Sequence, residues 1–109
     1  MATPVDRVEI LRAAVRDEPD DPVGHYLLGL ELSNLSRFEE ATASFRRAVE
    51  LKPDYTAAYR ELGKALREAG RISEAIDAFE RGIAVGDQTR DVQTAKEMRV
   101  FLRRLTGGE

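Results

Sequence analysis

Residues 22–55 and 56–89 superimpose at a shift of thirty-four with eight identities: Leu28/Leu62, Gly29/Gly63, Leu32/Leu66, Arg37/Arg71, Glu40/Glu74, Ala41/Ala75, Phe45/Phe79 and Arg47/Arg81. Most of these residues are apolar or small, and they recur at fixed spacing. A chain that poses the same packing problem twice folds as stacked copies of one supersecondary unit, each covering its neighbour's apolar face. With 109 residues in all, the chain is expected to form one domain with a single modest core.

The periodicity predicts six helices and no strand. Val5, Val8, Leu11 and Val15 space out a first amphipathic helix over 5–17, opened by Thr3 or Pro4. Pro19 and Pro22 stop it and start the second, over 23–34, whose apolar residues are too dense for a one-sided stripe. Ser36 with Glu39 reads as a capping box for a third helix over 37–51, and Asp54 as the cap of a fourth over 55–69. Gly70 suits the left-handed residue that ends the fourth helix. A fifth helix is expected over 72–85, a turn at Gly86-Asp87-Gln88, and a sixth helix at about 90–105. Thr106-Gly107-Gly108-Glu109 reads as a frayed end.

A thirty-four-residue helix-turn-helix unit with Leu28-Gly29 and Leu32 in one helix, Ala41, Phe45 and Ala48 in the next, and Pro53 at its close resembles the tetratricopeptide repeat. The second copy answers with Tyr59, Leu62-Gly63, Leu66, Ala75, Phe79 and Gly82, while Asp87 replaces the proline. In the first copy His25 stands where an aromatic usually sits. The glycines and alanines let paired helices approach, and the phenylalanines fill the space that opens beside them. Arg12, Ala14, Val15, Pro19 and Asp20 match Arg46, Ala48, Val49, Pro53 and Asp54, so 5–17 reads as the second helix of a half-repeat. The last helix breaks register and reads as a terminal cap. The resemblance implies an all-α, right-handed superhelical solenoid of α-α hairpins. Its divisions are a half-repeat helix (5–17), repeats at 22–55 and 56–89, and a capping helix at 90–105.

Little in the sequence points to catalysis. His25 is the one histidine, cysteine is absent, and Ser33 and Ser36 lie more than two helical turns away from His25. No histidine-containing cluster has metal-ligand spacing, and no glycine-rich loop could cradle a phosphate. Paired acids such as Glu39-Glu40 sit at helix starts, where the macrodipole favours them. The expectation is a non-enzyme without cofactor or metal. A formal charge of −3 provides no bulk attraction to nucleic acid or anionic membrane, and neither a signal peptide nor a membrane span is visible. A cytoplasmic location is the expectation.

The resemblance also implies where a partner sits. In such folds the first helices of successive repeats line a concave face, through Val23, Tyr26, Leu30, Ser33 and Asn34 in the first copy. In the second copy the residues are Ala57, Arg60, Lys64, Arg67 and Glu68. The first row is mainly apolar. The second is basic, and Arg60, Lys64, Arg67 and Arg71 form a stripe at i, i+4, i+7 and i+11. The partner-binding groove expected from these rows comprises Val23, Tyr26, Leu30, Ser33, Asn34, Arg60, Lys64 and Arg67. The clamp with which related proteins grip chaperone tails needs lysine, asparagine and asparagine where this chain has Tyr26, Leu30 and Glu61. That activity does not carry over.

The leading expectation is therefore a scaffold or adaptor that binds a protein or peptide, an acidic one if the stripe takes part. Self-assembly as a homodimer is the alternative. Nucleic-acid binding through Arg90, Lys96, Arg99, Arg103 and Arg104 of the last helix ranks third, because the aromatic interleaving of a single-strand platform is absent.

Overall fold

The computed structural model describes residues 1–107; Gly108 and Glu109, expected as part of a frayed end, lie outside the described residues. Six α-helices are present among them: α1 (Pro4–Asp17), α2 (Pro22–Asn34), α3 (Phe38–Leu51), α4 (Thr56–Glu68), α5 (Ile72–Thr89) and α6 (Val92–Thr106). Each packs on the next, and beyond these sequential neighbours α4 also touches α2 and α6. The result is a short solenoid of 44 × 27 × 23 Å, in which α2, α4 and α6 follow one another along one side.

The repeated residues form the repeated contacts. A Cβ added to Gly29 would lie 2.5 Å from Cε1 of Phe45, and one added to Gly63 would meet Phe79 equally closely. Both rings are wholly buried, with Leu32, Leu66, Ala41 and Ala75 beside them in the core. The glycines are thus needed for close approach within the helix, despite a helix-propensity cost of about 1 kcal/mol each relative to alanine.

The repeated charges form a ladder. Arg12 of α1 donates to Glu40 of α3 at 2.8 Å, and Arg46 of α3 pairs in the same way with Glu74 of α5. Within each helix start, Arg37 also holds Glu40 at 2.8 Å and Arg71 reaches Glu74 at 3.7 Å. The hydrogen bond from Arg37 leads in keeping the Glu40 carboxyl below its ordinary range. These pairs are exposed to solvent, which screens them, so they add little to stability.

Three local expectations need correction. Ser36 does not cap α3: it takes the left-handed conformation (φ 59°), and Arg37 becomes an N-cap without a side-chain bond. Ser36 thereby occupies the place that Gly70 (φ 80°) occupies in the second copy. Both turns close alike, Arg37 N–H bonding to Leu32 O at 2.9 Å and Arg71 N–H to Leu66 O at 2.8 Å. Asp54 likewise does not cap α4. The bond from Tyr55 N–H to Lys52 O moves the N-cap one residue on, to Tyr55, which makes no side-chain cap.

Gly86-Asp87-Gln88 is no turn either; α5 runs through it to Thr89, and left-handed Arg90 ends the helix. Gly86 serves packing, since a Cβ there would sit 2.9 Å from Ala95 Cβ and 3.3 Å from Thr56 Cγ2. At the start of α1 the expectation holds: Thr3 and Asp6 form a full capping box.

Candidate functional site

Each first helix turns one face toward the first helix that follows. Tyr26 and Arg60 occupy the same register position and show the consequence. Tyr26 packs its ring against Phe45 (centroids 6.0 Å apart) and Tyr55 (5.0 Å). Arg60 instead bonds to Glu61 at 2.9 Å and crosses to Glu97 of α6 at 3.2 Å. Burial, followed by the charge of Glu61, raises the Tyr26 phenol above its ordinary value, while Arg60 opposes the shift. Desolvation disfavours the charged Arg60, but the bond to Glu61 and the charges of Glu61 and Glu97 outweigh it.

The basic stripe is therefore not a free row of cations. Lys64 reaches Glu61 at 3.5 Å, Arg67 reaches Glu68 at 3.2 Å, and Arg71 reaches Glu39 at 3.5 Å. The sequence showed the acids but not which of them lie across the fold. Glu97 and Glu39 come from other helices, and only tertiary packing brings them to the stripe.

Five of the eight expected groove residues meet around one cavity. It measures about 260 Å³, lies between α2 and α4, and is lined by Leu30, Ser33, Asn34, Lys64 and Arg67 with Phe38, Ala65, Glu61 and Glu68. Tyr26 and Arg60 are not in its lining, being engaged in the packing and ion pairs just described. Val23 also stands apart, 47% exposed on α2. The cavity combines an apolar floor with a rim of both charge signs and an amide, a surface that can seat a side chain and orient its polar neighbours.

A second cavity, of about 550 Å³, was not anticipated. It opens between α3 and α5 over Val49, Leu62, Leu66 and Ala78, with Arg46, Glu74, Asp77 and Arg81 around it. Its rim is largely self-neutralised, through the Arg46–Glu74 pair and an Arg81–Asp77 contact at 3.9 Å. Sequence periodicity marks which residues are apolar, but a gap between two helices depends on their separation.

His25 has a structural task. Its Nε2 lies 2.7 Å from the carbonyl oxygen of Pro19, and since a carbonyl can only accept, that nitrogen carries the proton. Thirty-four residues on, the hydroxyl of Tyr59 donates to the Pro53 carbonyl at 3.0 Å. The two different side chains tether the same turn. Among the described residues no three His, Cys, Asp or Glu side chains gather where they could hold a metal ion. No helix there is long and apolar enough to cross a membrane.

Comparison with known proteins agrees with this geometry. The chain is similar to protein BPP2914 from Bordetella parapertussis, whose solution structure is 32% identical. The TM-score is 0.80, over 97% of this chain and 90% of that one. The yeast Sti1 TPR2B domain, solved as a complex with pHsp70, superimposes at TM-score 0.89 over 95% of this chain and 83% of its own, at 18% identity. The first TPR of Spaghetti (RPAP3), bound to the HSP90 peptide SRMEEVD, does so at 0.81 over 95% and 80%, at 21% identity. At those two identities the likeness is one of fold. No curated protein matches the chain. The sequence profile described as "Tetratricopeptide repeat" matches residues 26–89, more than half of the chain and both of its glycine–phenylalanine contacts. The chain belongs to the tetratricopeptide repeat family.

Proposed function

We propose that this protein is a non-catalytic scaffold or adaptor of the cytoplasm that binds a peptide or protein segment between α2 and α4. The observation that carries the reading is the cavity where Leu30, Ser33 and Asn34 face Lys64 and Arg67. Two structural neighbours support it, one solved with pHsp70 and one with an HSP90 peptide. The residues that hold such tails elsewhere are replaced here by Tyr26, Leu30 and Glu61, so the partner in this proposal is a different segment. A non-catalytic role accords with His25, whose Nε2 is committed to the Pro19 carbonyl. We further propose the division into a half-repeat helix (5–17), two repeats (22–55 and 56–89) and a capping helix (90–105).

The test is a peptide selected from a random library against the intact chain and mapped by amide chemical shifts. Shifts centred on Leu30, Ser33, Asn34, Lys64 and Arg67 are expected, and Lys64→Gln should weaken charged selectants. Shifts confined to Val49, Ala78 and Arg81 would move the site to the opposite cavity and end this reading. Arg60→Glu is a poor probe, because it would set a carboxylate against Glu97 and disturb the α4–α6 contact.

A second reading, self-assembly, is favoured by Val23 and Leu27, which lie one turn apart on α2 and are 47% and 42% exposed. Light scattering on the eluting protein checks it, and a monomer at high concentration rules it out.

A further inference from the structure

The two ends of the solenoid differ from its middle. Ala41 and Ala48 of α3 are wholly buried, but thirty-four residues earlier α1 carries Arg7 and Ala14, both exposed. The cause is packing: α3 lies against α2 and α4, whereas α1 lies against α2 alone. Arg7, Ile10, Ala14 and Asp17 therefore run along α1 as an uncovered strip at three- and four-residue steps. Arg7 leans across to Glu31 of α2 at 3.2 Å. Leu27 and Val23 lie one and two turns before Glu31, so their exposed side chains extend the strip. At the other end α6 has α4 and α5 beside it and turns an exposed row outward. That row is Val92, Lys96, Arg99 and Arg103, at i, i+4, i+7 and i+11.

These faces carry opposite charge. Residues 1–21 hold six acids and three arginines, and residues 90–109 hold five bases and three acids. Some of these charges are engaged within the fold: Arg7 on Glu31, Arg12 on Glu40, Arg99 on Asp87 and Glu97 on Arg60. Among the described residues, however, Asp17 and Glu18 meet no cation, and Lys96 and Arg103 meet no carboxylate, at ion-pair distance. The order of the helices gives the two faces a common geometry. With α2, α4 and α6 in succession along one side, the pattern continues beyond α6 with a helix of the α1, α3 and α5 kind. A second copy presents such a helix, with its open face free, as α1.

We propose that the chain associates head to tail, the outward row of α6 in one copy lying against the open edge of α1 and α2 in the next. The proposal rests on the self-assembly reading above and names the two surfaces. Apolar contact comes from Val92 on one side and from Ile10, Ala14 and Leu27 on the other. Lys96 and Arg103 bring positive charge to the end that carries Asp17 and Glu18, which sets the polarity of the contact. Because the two surfaces differ, a pair of copies leaves one of each unmatched, and further copies add in a row unless the rotation closes a ring. A second copy fits the basic row better than nucleic acid does, since it accounts for both ends and not for α6 alone.

The test is sedimentation of the full chain at rising concentration, with two charge-reversed variants. The mean mass should climb past that of a dimer at low salt and fall as salt is added. Asp17→Lys with Glu18→Lys, and separately Lys96→Glu with Arg103→Glu, should each weaken association by about tenfold and leave the helical circular dichroism unchanged. An equimolar mixture of the two variants should regain assembly, because each then offers the other an end of opposite charge. Where a reversed variant does not fold, the neutral pairs Asp17→Asn with Glu18→Gln and Lys96→Gln with Arg103→Gln should each still weaken association. A mixture that stays dissociated, or a loss confined to the α6 variant, overturns the proposal. A dimer that grows no further and ignores both variants also overturns it, while leaving the self-assembly reading intact through Val23 and Leu27. A monomer at every concentration ends both.

Discussion

The first helices of the two copies, α2 and α4, share a frame and differ in what it carries. Leu28, Gly29 and Leu32 in α2 and Leu62, Gly63 and Leu66 in α4 are all buried, and each glycine meets the phenylalanine of its own copy. On the face turned to the following helix, Tyr26, Leu30 and Ser33 correspond to Arg60, Lys64 and Arg67. The difference follows from the neighbour. The face of α2 looks on α4 and the Tyr55–Phe45 rings, whereas that of α4 looks on Glu97 and Phe101 of α6. Positions facing inward are constrained by a partner helix that repeats; positions facing along the solenoid answer to a neighbour that does not. A repeat protein can therefore keep its scaffold while changing its binding surface.

The largest expected effect tests the shared frame. Gly29→Ala and Gly63→Ala should each destabilise the fold by about 1–3 kcal/mol through overpacking, outweighing the gain in helix propensity, because neither phenylalanine ring has space to withdraw. Urea denaturation should return similar losses for both. A markedly smaller loss at one glycine would mean that the two copies are not packed alike.

A smaller effect separates the turns. Ser36 holds a left-handed conformation that Gly70 adopts without a Cβ, so Ser36→Gly should raise stability by about 0.5–1 kcal/mol and Gly70→Ala lower it by about 1 kcal/mol. Midpoints should move in opposite directions at unchanged slope. Movement in the same direction would break the equivalence of the two turns.

The smallest effect concerns Tyr26. Its folded phenol titrates above the ordinary value of 10.0, because of burial first and Glu61 second. With the folded value raised, the associated stability is fully present below the unfolded value and is lost as pH rises through the folded one. Denaturation midpoints should therefore fall on the alkaline side of that window, and Tyr26→Phe should flatten the decline. An unaltered decline in the variant would locate the alkaline sensitivity elsewhere.

Much of the scaffold was legible because its causes are local or repeat in register. Proline and the Gly70 turn mark breaks, amphipathic spacing marks helices, and the thirty-four-residue identities mark the Gly29–Phe45 and Gly63–Phe79 contacts. The misread positions share a physical reason. Ser36 resembles an N-cap by residue type, but the closing bonds of the turn determine its conformation. Gly86 resembles a turn residue, but its role is to let α6 approach α5. For the candidate groove, register nominated eight residues. Five line one cavity, while Tyr26 and Arg60 are occupied by intradomain partners.

What the sequence by itself determined is the repeated unit: an α-helical hairpin whose glycine, alanine and phenylalanine residues must meet at one spacing, twice. Tertiary structure alone decided which charges remain available to a partner. Residue order shows that Arg60, Lys64 and Arg67 share a helix face, but the field they present depends on Glu97 and Phe101 being packed against them. Electrostatic interactions act through distance, and the distance between α4 and α6 exists only in the folded chain.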